Sequence, residues 1–378
     1  MLRTAKKTTT TTTTNMAIDC NHRAIIAQAY KLPSIFILIT SFSYISSELL
    51  YWMLLYMIIF TFIPNALHSL FLIFIATNDR LKQRQQQQQQ SIINNEKQTT
   101  TTTTRWSKIS HLLLAKQIWM TEKLANFISN LIDLYAWLAH SYEIVGLENV
   151  PDDPKRPALM ICYHGILPTD MIFVYNQIYK KYHRFPRAVG DRFLFIFGNL
   201  IRDYIFPGPA DKCIETLKQG HLLVIAPGGT REAQFATTQY ETLWNNRCGF
   251  ARVAREAKVD IIPIFTKNSR QIYIIPRIFQ IILKPIYECT RIPVVPFFGG
   301  FPVKLTSFIG KPIHYDSADN AEQLARICQK TIDDMIATYQ TFPATIIGAL
   351  KERFIKCDNC STNTNTNTNT STTTTKNE

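Results

Sequence analysis

From Leu32 to Ala76 the chain runs 45 residues without a lysine or arginine and with Glu48 as its one acidic residue. No other feature restricts the fold so much, because an apolar stretch of that length has few places to go. Crossing a bilayer core takes about 20 apolar residues, so the run can hold one long helix or two helices in a hairpin. Pro64 with Asn65 is the break a hairpin would use. Trp52 and several tyrosines lie within it, which suits a membrane boundary, and a helix buried in a soluble core needs no uncharged run this long. The run starts too late and extends too far for a cleaved signal peptide, so it is expected to stay as an anchor. Basic residues stand on both sides, Arg23 and Lys31 before it and Arg80, Lys82 and Arg84 after, as a hairpin with both ends in the cytosol would have.

Four tracts cannot bury apolar area: Thr8 to Thr14, Gln85 to Gln90, Thr99 to Thr104, and an Asn/Thr stretch from about Thr362. They divide the chain into a disordered Thr-rich tail (1–31), the transmembrane segment (32–77), a low-complexity Gln/Thr linker (78–105), an amphipathic region (106–141), a globular domain (142–356) and a disordered Asn/Thr tail (357–378). The 41 basic residues exceed the 28 acidic ones by 13, which favours an anionic partner such as a phospholipid surface or a phosphate-bearing substrate. Nucleic acid is not expected, since there is no basic helix with interleaved aromatics, zinc-finger spacing or RNA-reader signature. Eight scattered cysteines indicate a reducing compartment. Cys357 and Cys360 lack the second pair or the histidines that a zinc site needs, so no metal is expected.

Between the linker and the domain, Leu113, Ile118, Leu124, Ile128, Leu131 and Leu138 recur at helical spacing, with Trp106, Trp119 and Trp137 among them. Such a helix can cover the core of the following domain. It can also lie in a membrane interface, where tryptophan and lysine suit the headgroup level. Both readings stand at this point.

From Glu143 to about Ile355 short apolar runs alternate with helical stretches. ALMICY (158–163), HLLVIAPGG (221–229) and DIIPIFT (260–266) read as strands, and DKCIETLKQG and FARVAREAKV have the 3.6-residue period. This is an α/β domain with a sheet at least partly parallel, in which functional residues collect beyond the carboxyl ends of strands. His164 stands just past ALMICY, Gly165 permits a sharp turn, and Asp170 opens the helical stretch MIFVYNQIYKKY. A neutral histidine can take a proton from an attacking hydroxyl, while a carboxylate on its other nitrogen fixes the tautomer. In IAPGGTREA, backbone N–H groups of Gly228, Gly229 and Thr230 with Arg231 form a candidate cradle for phosphate or an oxyanion. The same letters also describe a plain strand-ending turn. No nucleotide-binding loop is present, since both GxxxxGK and GxGxxG are missing.

YEIVGLENVPDD, YHGILPTD, GHLLVIAPGGTREA, CGFARVAREAKVDIIPIFTKN and FGGFPVKLTSFIGKPIHYD together resemble the glycerolipid acyltransferase superfamily, over roughly Tyr142 to Phe354. The resemblance implies a mixed sheet flanked by helices, preceded by a membrane-embedded helical segment, at the endoplasmic reticulum. It implies His164 as general base with Asp170 as its orienter. It places the acyl donor or the developing oxyanion on Arg231 and on the Gly228 and Gly229 backbone, with Gly165, Thr230 and Glu232 in the same substrate-binding set. Pro207 and Gly208, in IFPGPADKC, hold the place of the family's second block, where they shape an acceptor cleft or simply turn the chain. Two departures stand out. The family spacing H-x4-D falls on Thr169, which cannot supply a charge, so the role is assigned to Asp170. The glutamate of the phosphate-acceptor branch is replaced by Gly228, which points to a neutral acceptor.

The expected activity is transfer of a fatty acyl group to monoacylglycerol or diacylglycerol, making triacylglycerol. A lysophospholipid acyltransferase is the alternative within enzymes, and a non-catalytic membrane scaffold is the alternative outside them. No cofactor is implied; acyl-CoA or a membrane phospholipid would be the acyl-donor substrate, and the bilayer a partner. No residue pattern specifies an oligomeric state.

Overall fold

The computed structural model describes residues 62–95, 103–153, 155–191 and 204–354, with a few isolated positions between 48 and 59. Its organising element is β2 (Ala158–Cys162), an apolar run buried at every residue. Parallel neighbours flank it, β5 (Leu222–Ile225) on one side and β6 (Ile261–Lys267) on the other. Strands with continuous apolar sequence need cover on both faces, and they get it. Leu159, Ile161 and Tyr163 enter a cluster with Leu217, Ala254 and Ile332, which come from helices α4 (Ala210–Lys218), α6 (Gly249–Ala257) and α8 (Ala321–Tyr339). Ala158, Met160 and Cys162 point the other way, onto Val174 and Ile178 of helix α3 (Thr169–Tyr182). Each leucine, isoleucine, valine and methionine among them contributes about 1.5–3 kcal/mol through burial.

The full sheet has seven strands in the order β1-β9-β6-β2-β5-β3-β4, with β1 at Glu143–Val145, β3 at Arg187–Gly190, β4 at Ile205–Pro207 and β9 at Thr306–Ile309. All pairings in it are parallel except β6 with β9. It is therefore a mixed, mainly parallel sheet flanked by helices, as the strand and helix alternation predicts. The expected strands and the helices of DKCIETLKQG, FARVAREAKV and MIFVYNQIYKKY all form. Pro207 sits in β4, an edge strand, where its missing N–H costs no ladder bond. A two-stranded ribbon, β7 (Tyr273–Ile274) with β8 (Phe298–Gly299), lies apart from the main sheet.

Ahead of the sheet, α1 (Ile63–Asn95) and α2 (Thr103–His140) are two long helices. Most of the run from Leu32 lies outside the described residues. Pro64 falls in the first turn of α1, where a proline is tolerated. Among the described residues no helix is long and apolar enough to cross a membrane. Phe71, Leu72, Ile75 and Ala76, the end of the apolar run, are buried in a cluster with Ala125, Ile128 and Ile132 of α2 and Phe173 of α3. The expected linker also departs from expectation: α1 continues through the glutamines to Asn95. Glutamine is a good helix former and needs no apolar face to propagate a helix already nucleated by packing. Lys82 with Glu122 at 2.6 Å, and the Asn78 amide with the Thr121 hydroxyl at 2.9 Å, join α1 to α2.

The apolar positions read along α2 belong to two faces. Ile118 and Ile128 join the buried stripe with Leu114, Ala125, Ile132 and Ala136, whereas Leu113, Leu124 and Leu138 are exposed with Trp119, Phe127 and Trp137. The helix covers the domain and also presents an apolar outer face. The polar Ser129, Asp133 and Asn176 clamp it to α3: Ser129 Oγ donates to Asn176 Oδ1 at 2.7 Å and Asn176 Nδ2 donates to Asp133 Oδ1 at 2.7 Å.

Candidate active site

Because β2, β5 and β6 run parallel, their carboxyl ends open on one edge of the sheet. The loops that leave them carry His164, the Gly228–Gly229 turn and the segment Asn268–Gln271. His164 follows β2 by two residues and is half-buried. Its Nδ1 lies 2.6 Å from the carbonyl oxygen of Gly165. A carbonyl only accepts, so Nδ1 carries the proton and Nε2 keeps the lone pair. Burial lowers the pKa of His164, opposed by the Gly165 carbonyl and assisted by the positive charge of Arg270. A base with an unprotonated Nε2 is what results.

The main chain of His164 is held at both ends by buried charged side chains. Glu232 Oε1 accepts its N–H at 2.8 Å, and Arg270 Nη1 donates to its carbonyl at 3.3 Å. Glu232 belongs to α5 (Gly229–Phe235), and its other oxygen accepts the N–H of Leu243 at 3.0 Å. Burial raises its pKa to about 7, against the N–H groups of His164 and Leu243 and the Arg270 charge. Arg270 donates further to the carbonyls of Glu232 at 3.2 Å, Ala233 at 3.3 Å and Ala236, the acceptors left at the end of this short helix. Arginine suits that position because its fork offers several donors in one plane.

The structure does not bring Asp170 to the imidazole: among the described residues no hydrogen bond joins the two. Asp170 is buried in the first turn of α3. Burial raises its pKa to about 6, opposed by bonds from Thr266 and from the N–H groups of Asp170 and Met171. Thr266 is bonded in turn to Ser307 at 2.8 Å, so the carboxylate ties α3 to β6 and β9. Thr169, at the family spacing, is fully buried 3.2 Å from the Tyr273 hydroxyl. The tautomer-fixing task expected of the acid falls instead to the Gly165 carbonyl.

The second motif is compact. Gly229 has φ 55°, and Arg247 Nη1 donates to the carbonyls of Pro227 at 3.0 Å and Gly228 at 3.1 Å. A Cβ on Gly228 would stand 2.4 Å from the carboxyl carbon of Glu232. Glycine at 228 is thus the condition for the Glu232 carboxylate to sit where it does, which gives a physical reason for the absent glutamate. The N–H of Gly229 is spent on the Ala226 carbonyl at 3.0 Å, which narrows the expected cradle. Thr230 Oγ1 donates to Asp191 at 2.9 Å, and Arg231 Nη2 pairs with Glu288 at 3.1 Å. Gly165 packs over Ser269, with room for no more than a tight Cβ contact at 3.3 Å from the Leu167 carbonyl. Gly208 lies against Val189, whose Cγ1 would be 2.4 Å from an added Cβ, so its position is fixed by packing of β4 on β3.

Arg270 is the residue the sequence reading did not single out. Its signal was present, an arginine three residues past the carboxyl end of an apolar strand, but the phrase that carries the resemblance stops at Asn268. Among the described residues no group of acidic, histidine and cysteine side chains is arranged to hold a metal.

A family model described as "Acyltransferase" matches residues 141–267. A protein of Homo sapiens described as "DGAT1/2-independent enzyme synthesizing storage lipids" is 42% identical over 234 residues, which is 60% of this chain and 70% of that protein. A protein of Gallus gallus with the same description is 39% identical over 242 residues, 63% of this chain and 71% of its own length. Among solved structures, a 1-acyl-sn-glycerophosphate acyltransferase, PlsC, from Thermotoga maritima is 16% identical with a TM-score of 0.42, covering 73% of this chain and 97% of that one.

Proposed function

The chain belongs to the acyltransferase family and is an acyltransferase, and from that premise we propose that it moves a fatty acyl group onto the free hydroxyl of monoacylglycerol or diacylglycerol. The description of the human and chicken relatives as enzymes of storage-lipid synthesis supports triacylglycerol as the product. One observation carries the mechanism: the imidazole of His164 has Nδ1–H committed to the Gly165 carbonyl, which leaves Nε2 the unprotonated nitrogen.

In this reading Nε2 takes the proton of the acceptor hydroxyl as its oxygen attacks the acyl carbonyl. The C–O bond forms, a tetrahedral oxyanion develops, and its collapse breaks the bond to the thiolate of acyl-CoA or to the glycerol oxygen of a donor phospholipid. The imidazolium returns its proton to that leaving group. The lowered pKa of His164 keeps it neutral at the start of each cycle, and Gly165, Glu232 and Arg270 hold it in place. Arg231 and the backbone about Gly228 and Thr230 face the donor or the oxyanion. Arg231 is already paired with Glu288, which suits a neutral acceptor better than a phosphorylated one. Asp170 contributes by fixing α3 behind the histidine. No step needs a metal or a redox cofactor.

We place the enzyme at the endoplasmic-reticulum membrane, with the apolar run ahead of α1 (32–62) as anchor and the outer face of α2 in the interface; the part of the run from 63 to 77 begins α1, and its Phe71, Leu72, Ile75 and Ala76 serve the domain core instead. The test is lipid profiling of cells without endogenous triacylglycerol synthesis that express the wild-type chain or His164→Ala. Triacylglycerol appearing with the wild type alone supports the reading. Altered phospholipid acyl chains with no triacylglycerol would make it a lysophospholipid acyltransferase, and identical profiles from both proteins would leave a scaffold.

A further inference from the structure

Between β7 and β8 the chain forms α7 (Arg277–Thr290), a helix whose polarity is inside out. Globular helices turn an apolar stripe to the core and a polar face to water. Here Ile278, Ile281, Ile282 and Ile286, spaced by three, one and four residues along one stripe, are all exposed, Ile278 at 59% and Ile281 at 61%. Ile292 and Val294 continue the apolar surface just beyond the helix. The inner side is held by Tyr287, whose ring centroid is 5.4 Å from that of Phe235, and by Gln280, which donates to the Gln234 carbonyl at 3.3 Å. Phe235 and Gln234 belong to α5, the helix that carries Arg231 and Glu232. The stripe, exposed among the described residues, therefore sits on a helix packed against the one that carries Arg231 and Glu232.

We propose that this face of α7 is a second membrane-contacting element, seated at the boundary of headgroups and acyl chains beside the active site. Contiguous apolar surface of this kind is rare on a monomer without a partner. The occupant is identified by charge. Arg277, Lys284 and Arg291 border the stripe, and the single acid of the helix, Glu288, is paired with Arg231 at 3.1 Å. An apolar stripe rimmed by cations matches an anionic lipid surface, with the basic side chains reaching the headgroups. The following segment supports the placement: Val295, Phe297 and Phe301 pack in the cluster that α1 and α2 build, so α7 adjoins the helical pair through its own chain. The element would bring the bilayer surface against the helix that carries Arg231 and Glu232. It rests on the acyl-transfer reading for its purpose but not for its test.

The test is fluorescence of the full chain carrying Ile282→Trp, compared with the wild type, on phosphatidylcholine vesicles with and without phosphatidylserine. The added emission is expected to be quenched by lipids brominated on their acyl chains and shielded from aqueous acrylamide. Acrylamide quenching unchanged by vesicles would overturn the proposal. So would shielding that rises with protein concentration and ignores brominated lipid, which would assign the face to a second copy of the chain. In a parallel assay, Ile281→Glu with Ile282→Glu is expected to lower transfer from vesicle lipids by roughly tenfold or more. Transfer to a soluble short-chain acceptor should change less than about twofold, since both positions are exposed. Equal losses on both acceptors would count against membrane contact. A wild type inactive on every acceptor would sink the acyl-transfer reading, and the quenching result would still decide this one.

Discussion

Two acids bear on His164, Asp170 expected to orient it and Glu232 expected in the substrate-binding set, and they behave differently. Asp170, six residues along the chain, has no hydrogen bond to the imidazole among the described residues and joins the start of α3 to Thr266. Glu232, sixty-eight residues away, accepts the N–H of His164 directly. Closeness in sequence put Asp170 into the first turn of α3, bonded to Thr266, whereas parallel pairing of β2 with β5 set the following loops side by side. In a parallel sheet the partners of a catalytic residue come from neighbouring strand ends, often far along the chain.

That contrast is open to attack by substitution. His164→Ala should lower kcat by roughly a thousandfold, the range for loss of a general base, with little change in Tm because the ring is half-buried. Arg270→Met comes next: with carbonyls of residues 164, 232, 233 and 236 losing their donor and Glu232 left without its countercharge, it should cost roughly 3–5 kcal/mol in urea unfolding. Normal stability there would remove the arginine from the account.

Glu232→Gln should keep the fold and lower kcat by about a hundredfold, the effect of a reacting group displaced by about 1 Å. It has a pH signature as well. The folded-state pKa of Glu232 is raised from 4.5 to about 7, so between those values the folded chain holds a proton that the unfolded chain releases. Its contribution therefore falls as pH rises through that window, and the glutamine variant should lose that part of the slope in Tm between acid and neutral pH. Asp170→Asn should lower stability by roughly 1–3 kcal/mol through its buried partners, with kcat per folded molecule falling by about tenfold or less. The smallest effect belongs to Glu288→Gln: a half-exposed ion pair is worth about 1 kcal/mol or less. Tm should barely move, and a KM for a phosphorylated acceptor that drops sharply in this variant would revive the lysophospholipid alternative.

Much of the fold was legible because strand and helix periods differ. ALMICY, HLLVIAPGG and DIIPIFT became β2, β5 and β6, and the helices between them followed. The second motif was legible from its glycines, and Gly228 and Gly229 do occupy positions that a larger residue would disturb. What stayed hidden depended on tertiary geometry. Periodicity along α2 could not say which of two apolar stripes faces inward, since Ile118 and Leu113 look alike in a list of leucines and isoleucines. The glutamines of α1 read as a linker because composition reports the lack of a core, while a helix started by Phe71 and Leu72 can propagate through them. Arg270 was hidden because its partners are carbonyl oxygens, which leave no mark in a sequence. The same holds for Gly165, whose carbonyl accepts the hydrogen bond of the imidazole Nδ1–H.

The most direct test of the account is the kcat of Glu232→Gln set against that of Asp170→Asn, both corrected for folded fraction and measured on the same acceptor. The account predicts the larger fall in Glu232→Gln. A larger fall in Asp170→Asn, with its fold intact, would contradict it and return the orienting role to the acid nearer in sequence.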